Sequence, residues 1–262
     1  LGFLGAKAEI RYQPKGVVGV ISPWNFPVNL TFAPLAGVLA AGNRAMVTPS
    51  ELTPATSELL KQMFASNFDE EEIAVVTGGP EVGQAFSSLA FDHLIFTGAT
   101  AIGRHVMRAA AANLVPVTLE LGGKSPVVIG RSADIAVAAA RIMNGKTLNA
   151  GQICLAPDYV LAPTDRMASF VEEAKSAVGH MFPTIRENPD YTAIVSDRHY
   201  ARLSGYLEDA RAKGAEIVEI NPAGEDLRQQ PHRRIPPTLI LNPTDDMKVM
   251  QEEIFGPLLP IR

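Results

Sequence analysis

An α/β architecture built on mostly parallel sheets is what this 262-residue sequence predicts. Two observations point there. Short β-branched runs bracketed by Gly or Pro alternate with longer segments of helical length and period, and the alternation restarts after Gly122. A hydrophobic content of 47% is enough to fill a core in each of two lobes.

The elements follow in order. Val17–Ile21, Ala45–Val47, Ile73–Val76, Leu94–Phe96 and Val117–Leu119 are brief and β-branched, as strands are. Thr31–Ala41, Ala55–Phe64, Glu81–Leu89 and Ala101–Ala111 lie between them and suit helices. Beyond Gly122, Val127–Ile129 reads as a strand, Ile135–Lys146 as a helix and Val160–Ala162 as a strand. Helices are expected at Met167–Met181 and Arg198–Lys213, and strands at Glu216–Glu219 and Thr238–Leu241. Asn221–Pro237, rich in Pro, Gly and charge, is expected to be an exposed loop. The boundary separates residues 1–122 from 123–262. Ligands favour the loops past parallel strand ends and the clefts between domains.

Charge and hydropathy remove several classes of function. Net charge is −5, from 23 basic and 28 acidic residues, with no basic stripe to neutralise phosphates, so nucleic acid is not expected as a partner. The one run of like charge, Asp69-Glu70-Glu71-Glu72, reads as a solvated helix start. Leu35–Ala41, the longest apolar stretch, is too short to span a bilayer. The first residue is Leu rather than Met, which suggests a piece of a longer protein; a cytoplasmic enzyme is the expectation. The five histidines show no metal-ligand spacing, and no metal site is expected.

The sole cysteine, Cys154, follows Asn149-Ala150-Gly151-Gln152-Ile153 and precedes Leu155-Ala156-Pro157-Asp158-Tyr159. It is a buried small hydrophobe, an incidental surface thiol or a nucleophile. A cysteine nucleophile working on a carbonyl needs a donor for the oxyanion and a base for hydrolysis. Asn25, inside Pro23-Trp24-Asn25-Phe26-Pro27, has an amide suited to the first task, unless it only caps a turn. Glu120 ends an apolar strand before Gly122-Gly123-Lys124-Ser125-Pro126; partial burial there would raise its pKa towards neutrality, the alternative being a strand-end carboxylate facing water.

Together, Pro23–Pro27, Glu120–Pro126, Gly151–Cys154 and Glu252-Glu253-Ile254-Phe255-Gly256-Pro257 resemble the signature segments of the aldehyde dehydrogenase superfamily, in its order. Pro27-Val28-Asn29-Leu30-Thr31 and Cys154–Tyr159 look most like its class 3 branch, and Asn149–Val160 is similar to bacterial coniferyl aldehyde dehydrogenases. The resemblance implies a variant Rossmann coenzyme domain, partial at residues 1–122, and an α/β catalytic domain at 123–262 that is truncated at its C-terminus. It also implies that Cys154 forms a thiohemiacetal whose oxyanion is held by Asn25 and the Cys154 N–H. Hydride transfer to the coenzyme then leaves a thioester, which Glu120 hydrolyses by activating water. The implied substrate is a hydrophobic or aromatic aldehyde such as coniferaldehyde. The alternatives are a fatty or medium-chain aldehyde, acyl transfer to coenzyme A, or a coenzyme-binding relative without activity.

For the coenzyme, the resemblance implies contacts from Ser22, Pro23, Trp24, Thr48, Glu51, Gly83, Phe96, Thr97, Gly98, Ala99, Ile102, Gly103, Leu121 and Gly122. Read without it, the turn from Phe96 to Gly103 is a strand-to-helix junction that is either structural or a pyrophosphate site, and it lacks the Gly-x-Gly-x-x-Gly spacing. Ala99 stands where many members have serine, and Thr48 where they commonly have a ribose-reaching lysine. Glu51 would accept from ribose hydroxyls and repel a 2′-phosphate, so NAD is expected over NADP. Glu253 is implied at the nicotinamide-side ribose and Phe255 against the nicotinamide, the alternatives being a solvated loop and core filler. Against the family's pattern the chain starts near the first segment and stops just after the last. An arm that pairs with a partner subunit is therefore expected elsewhere, in an intact homodimer.

Overall fold

The computed structural model describes residues 5–228 and 230–262. They form two compact units, one ending at Leu121 and the other beginning at Gly122.

The first unit is a five-stranded sheet of β1 (Val17–Ile21), β2 (Arg44–Thr48), β3 (Ile73–Val75), β4 (His93–Gly98) and β5 (Val117–Leu121). The strand order is β3-β2-β1-β4-β5 and every pairing is parallel. Each crossover carries a helix: α1 (Asn29–Ala40), α2 (Pro54–Asn67), α3 (Pro80–Ser87) and α4 (Thr100–Ala111). Val18, Val20, Ala45, Val47 and Ile73 pack with Leu35, Leu60 and Phe64 from the helices. Leu94 and Phe96 pack with Phe86, Val106 and Ala110. Strand order reverses direction between β1 and β4, so the crevice beyond their carboxyl ends is the topological switch point where dinucleotides bind in such sheets.

The second unit has β6 (Pro126–Val128), β7 (Tyr159–Leu161), β8 (Glu216–Glu219), β9 (Thr238–Leu241) and β10 (Leu258–Ile261), in the order β6-β7-β10-β9-β8. Only β8 runs antiparallel to its neighbour. Helices α5 (Ile135–Thr147), α6 (Met167–Met181), α7 (Asp197–Ala212) and the single turn α8 (Lys248–Gln251) complete it. Phe170, Ala174 and Val178 of α6 pack against Val160, Leu239 and Leu259 of the sheet. Leu203, Tyr206 and Ala210 of α7 pack with Ile240, Ile254 and Leu258.

Three expectations need correction. Asp69–Glu72 is solvated but does not start a helix: it is the turn from α2 to β3, closed by Glu72 N donating to Asp69 O at 2.9 Å, and Glu72 O accepts from Ala45 N at 2.9 Å. Strand β4 continues through Thr97 and Gly98, so these residues pair with Glu120 and Leu121 of β5 and do not yet belong to the turn. The described residues of the segment Asn221–Pro237 form no helix or strand, yet its end is not exposed, because Ile235, Pro236 and Pro237 are buried.

Candidate active site

In the first unit, the residues just past the strand ends are the candidate coenzyme contacts. Ser22, Pro23 and Trp24 follow β1; Ser22 is buried, with its N–H donating to Thr48 O at 3.1 Å and its Oγ without a hydrogen-bond partner among the described residues. A buried hydroxyl left unsatisfied at the switch point suits a bound polar ligand. Thr48 is the buried last residue of β2. The α4 N-terminus, at Ala99 and Thr100, has no side-chain cap and no acidic residue in its first turn, so its amides suit an anion. Close packing beneath it needs Gly103, whose added Cβ would lie 2.8 Å from Leu121 Cδ2. Likewise a Cβ on Gly98 would lie 2.7 Å from the Phe96 ring. Ile102 is exposed on the first turn of α4, and nothing lies within 4 Å of where a Gly83 Cβ would point. The residues present therefore fit a dinucleotide.

Beyond β2 and β3 a recess of about 340 Å³ is lined by Pro49, Ser50, Glu51, Pro54, Ser57, Glu58, Thr77 and Gly78. Two carboxylates line it and no cation does. Glu58 escaped the sequence reading; its place one turn into α2, beside Ser57, was the available signal.

Asn25 is half-buried in the loop joining β1 to α1. That loop is fixed by Leu30 N donating to Phe26 O at 2.9 Å and Thr31 Oγ1 to Pro27 O at 2.6 Å. Glu120 is exposed, contrary to the expected partial burial. The reason is its place on β5, an edge strand whose alternate residues Thr118 and Glu120 point to an open face.

In the second unit, Cys154 is exposed, which removes the buried-hydrophobe reading. It sits in a tight turn, with Ala156 N donating to Ile153 O at 3.1 Å. Asn149 (φ 50°), Ala150 (φ 52°) and Gly151 (φ 72°) precede it in the left-handed region. Such a run is costly for Asn and Ala, and residues held that way cluster at functional sites. At Gly151 a Cβ would collide with the Gly256 backbone and come 2.9 Å from Lys146 O, so only glycine fits. Buried Gln152 pins the turn: Nε2 donates to Asn149 O at 3.0 Å and to Ala193 O at 3.1 Å, while Oε1 accepts from Val195 N at 3.0 Å.

The segment that presses on Gly151 carries Glu253 and Phe255. Glu253 is half-buried rather than solvated. Burial pushes its carboxyl up, opposed by a hydrogen bond from the Gly123 amide. Phe255 is half-buried with φ 49°, an aromatic residue in the left-handed region. A Cβ on Gly122 would run into the Glu253 carboxylate. Among the described residues no cluster of three metal-ligating side chains occurs. A cavity of about 420 Å³ near Tyr200, Asn221 and Arg234 contains none of the candidate residues.

With that geometry in place, comparison with known proteins decides the family. The profile described as the aldehyde dehydrogenase family matches residues 4–262. The chain belongs to the aldehyde dehydrogenase family. It is 76% identical over 262 residues to a probable coniferyl aldehyde dehydrogenase of Caulobacter vibrioides, covering 100% of this chain and 54% of that protein. With the coniferyl aldehyde dehydrogenase of a Pseudomonas species it shares 61% identity over 260 residues, 99% of this chain and 54% of the other. A crystal structure of the Mycobacterium tuberculosis aldehyde dehydrogenase complexed with NAD+ superposes with a TM-score of 0.84 at 35% identity, covering 95% of this chain and 52% of that one. The chain thus spans about half the length of the curated relatives it matches. The aldehyde dehydrogenase fold and the resemblance read from the four signature segments both stand. No helix among the described residues is long and apolar enough to cross a membrane.

Proposed function

We propose that this chain carries the coenzyme-binding and nucleophile-bearing parts of an NAD-dependent aldehyde dehydrogenase that oxidises coniferaldehyde or a similar aromatic aldehyde to its carboxylic acid. The observation that carries the reading is Cys154 itself: an exposed thiol on a turn made rigid by Gln152 and by the left-handed run at Asn149–Gly151. A structural cysteine has no need of such a mount. Identity of 76% across the whole chain to a probable coniferyl aldehyde dehydrogenase supports the substrate class.

The chemistry follows from the residue types. Thiolate sulfur attacks the aldehyde carbon, the carbonyl π pair moves to oxygen, and a hemithioacetal forms on Cys154. The Asn25 amide and the Cys154 N–H donate to that oxyanion, an arrangement that strengthens as charge develops. A nicotinamide dinucleotide bound past the carboxyl ends of β1 and β4 supplies the hydride acceptor. Collapse of the oxyanion would expel hydride to that acceptor and leave a thioester on Cys154; Glu120 then takes a proton from water as the water attacks, and the C–S bond breaks to release the carboxylic acid and the Cys154 thiolate. This requires Asn25 and Glu120, from the first unit, to meet Cys154 at one aldehyde. Residues 1–122 then serve the coenzyme and 123–262 the nucleophile. In the intact protein a homodimer is the assembly that the class 3 resemblance supports.

Glu51 and Glu58 on the recess past β2 and β3 favour unphosphorylated ribose, because a 2′-phosphate there meets two carboxylates and no cation. A panel of coniferaldehyde, octanal and decanal, each with NAD+ and with NADP+, tests substrate and coenzyme together. The highest kcat/KM is expected for coniferaldehyde with NAD+. Absence of turnover with every aldehyde, or a Cys154→Ser protein as active as the parent, would overturn the reading.

A further inference from the structure

Lys124 is the point where three segments of the second unit are fastened. Its ammonium has three donors, and all three are used: one to Asp158 Oδ1, one to Val249 O at 2.8 Å and one to Glu252 O at 2.9 Å. The second carboxylate oxygen of Asp158 accepts from Ile254 N at 2.9 Å. Asp158 N in turn donates to Ser125 O at 2.9 Å. Glu253 therefore lies between two residues, Glu252 and Ile254, whose backbones are bonded to the Lys124–Asp158 pair. Its own carboxylate receives the Gly123 amide, from the residue beside Lys124. Asp158 is four residues past Cys154 and almost wholly buried, with a side-chain exposure of 4%. One partly buried ion pair thus locks the Glu253 segment onto the end of the nucleophile's loop.

We propose that Lys124 is a positioning residue that acts through Glu253, fixing its carboxylate where the nicotinamide-side ribose of the coenzyme is to be held. The inference rests on the coenzyme reading above and extends it to a residue that touches no coenzyme. A surface lysine would not do this: a flexible ammonium in water holds nothing, whereas one with three fixed acceptors defines a backbone position. The left-handed φ of Phe255 is maintained by the same fastening, because the chain on its N-terminal side has no freedom to relax.

A double-mutant cycle on the intact protein separates positioning through Glu253 from a merely structural role. NADH dissociation constants are measured by fluorescence titration for the parent, Lys124→Met, Glu253→Ala and the double variant, with folding verified by circular dichroism. Lys124→Met is expected to weaken NADH about tenfold in the parent background, the scale of one charge-assisted contact. In the Glu253→Ala background the same change should cost less than about twofold, since the group it positions is gone. Equal losses in both backgrounds, or no loss in either, overturn the proposal. Breaking a buried pair can prevent folding, so Asp158→Asn is run through the same cycle. Its amide oxygen still accepts from Ile254 N while the charge holding Lys124 is lost, and a loss coupled to Glu253 is again expected; an uncoupled or absent loss rejects the idea. A parent protein that binds no NADH would instead refute the coenzyme reading, whereas a parent that binds NADH while Glu253→Ala binds it as tightly would overturn the proposal alone.

Discussion

Lys146 lies far from its ordinary chemistry. It falls on the buried stripe of α5 with Ala139, Ile142 and Met143, and its whole side chain is enclosed. Burial lowers its pKa from 10.5 to about 8, with Asp158 and Glu253 pulling upward and Lys124 adding to the fall. The sign of the consequence is fixed. Below about pH 8 both states hold the proton and the native state bears the full penalty, about 3 kcal/mol. Between about pH 8 and 10.5 the unfolded chain holds a proton that the native chain has released, so stability rises with pH. Urea unfolding of the parent and of Lys146→Met across this range should show the parent gaining about 3 kcal/mol relative to the variant. A difference that stays flat with pH would contradict the account. The sequence announced the spacing of α5 but not this environment, because periodicity identifies the inner face and says nothing of the charges that other segments bring to it. Cys154, Asn25 and Glu120 were legible as types in motifs; the exposure of Glu120 was not, since it depends on β5 being an edge strand.

The turn that bears Cys154 is rigid because Gln152 satisfies the nearby Asn149 carbonyl and, from a distant part of the chain, the Ala193 carbonyl and the Val195 amide. Replacing it by alanine leaves Ala193 O and Val195 N buried or half-buried without their partner. The expected cost is about 2–4 kcal/mol in urea unfolding, from the lost bonds and the unpaired groups. The thiol's mount loosens with it, so kcat should fall while NADH affinity, set elsewhere, is retained. Loss of affinity with kcat unchanged would disprove the role. Elements of ordinary length were read correctly to within a few residues, α6 and β8 among them, because β-branching and period mark them locally. Strand β10 was invisible: Leu258–Ile261 is four residues long and contains Pro260, and only its place between β7 and β9 makes it a strand. The single turn α8 is likewise too short for a periodic signal.

Across the whole molecule, alternation of strands and helices after a single break at Gly122 was enough to foresee two α/β units, each with its own core. Strand order was not legible, since adjacency in a sheet depends on crossovers that sequence does not specify; the order β3-β2-β1-β4-β5 is what puts Ser22 and the turn after Gly98 at one switch point. Recognition of the four signature segments supplied the rest, and the account that joins them has one covalent centre. Its most direct test is mass spectrometry of the intact Glu120→Gln protein after incubation with coniferaldehyde and NAD+. With the hydrolytic base removed, the thioester should accumulate, seen as a feruloyl mass on the peptide that contains Cys154, together with a burst of NADH. NADH formed steadily while that peptide stays unmodified would contradict the account.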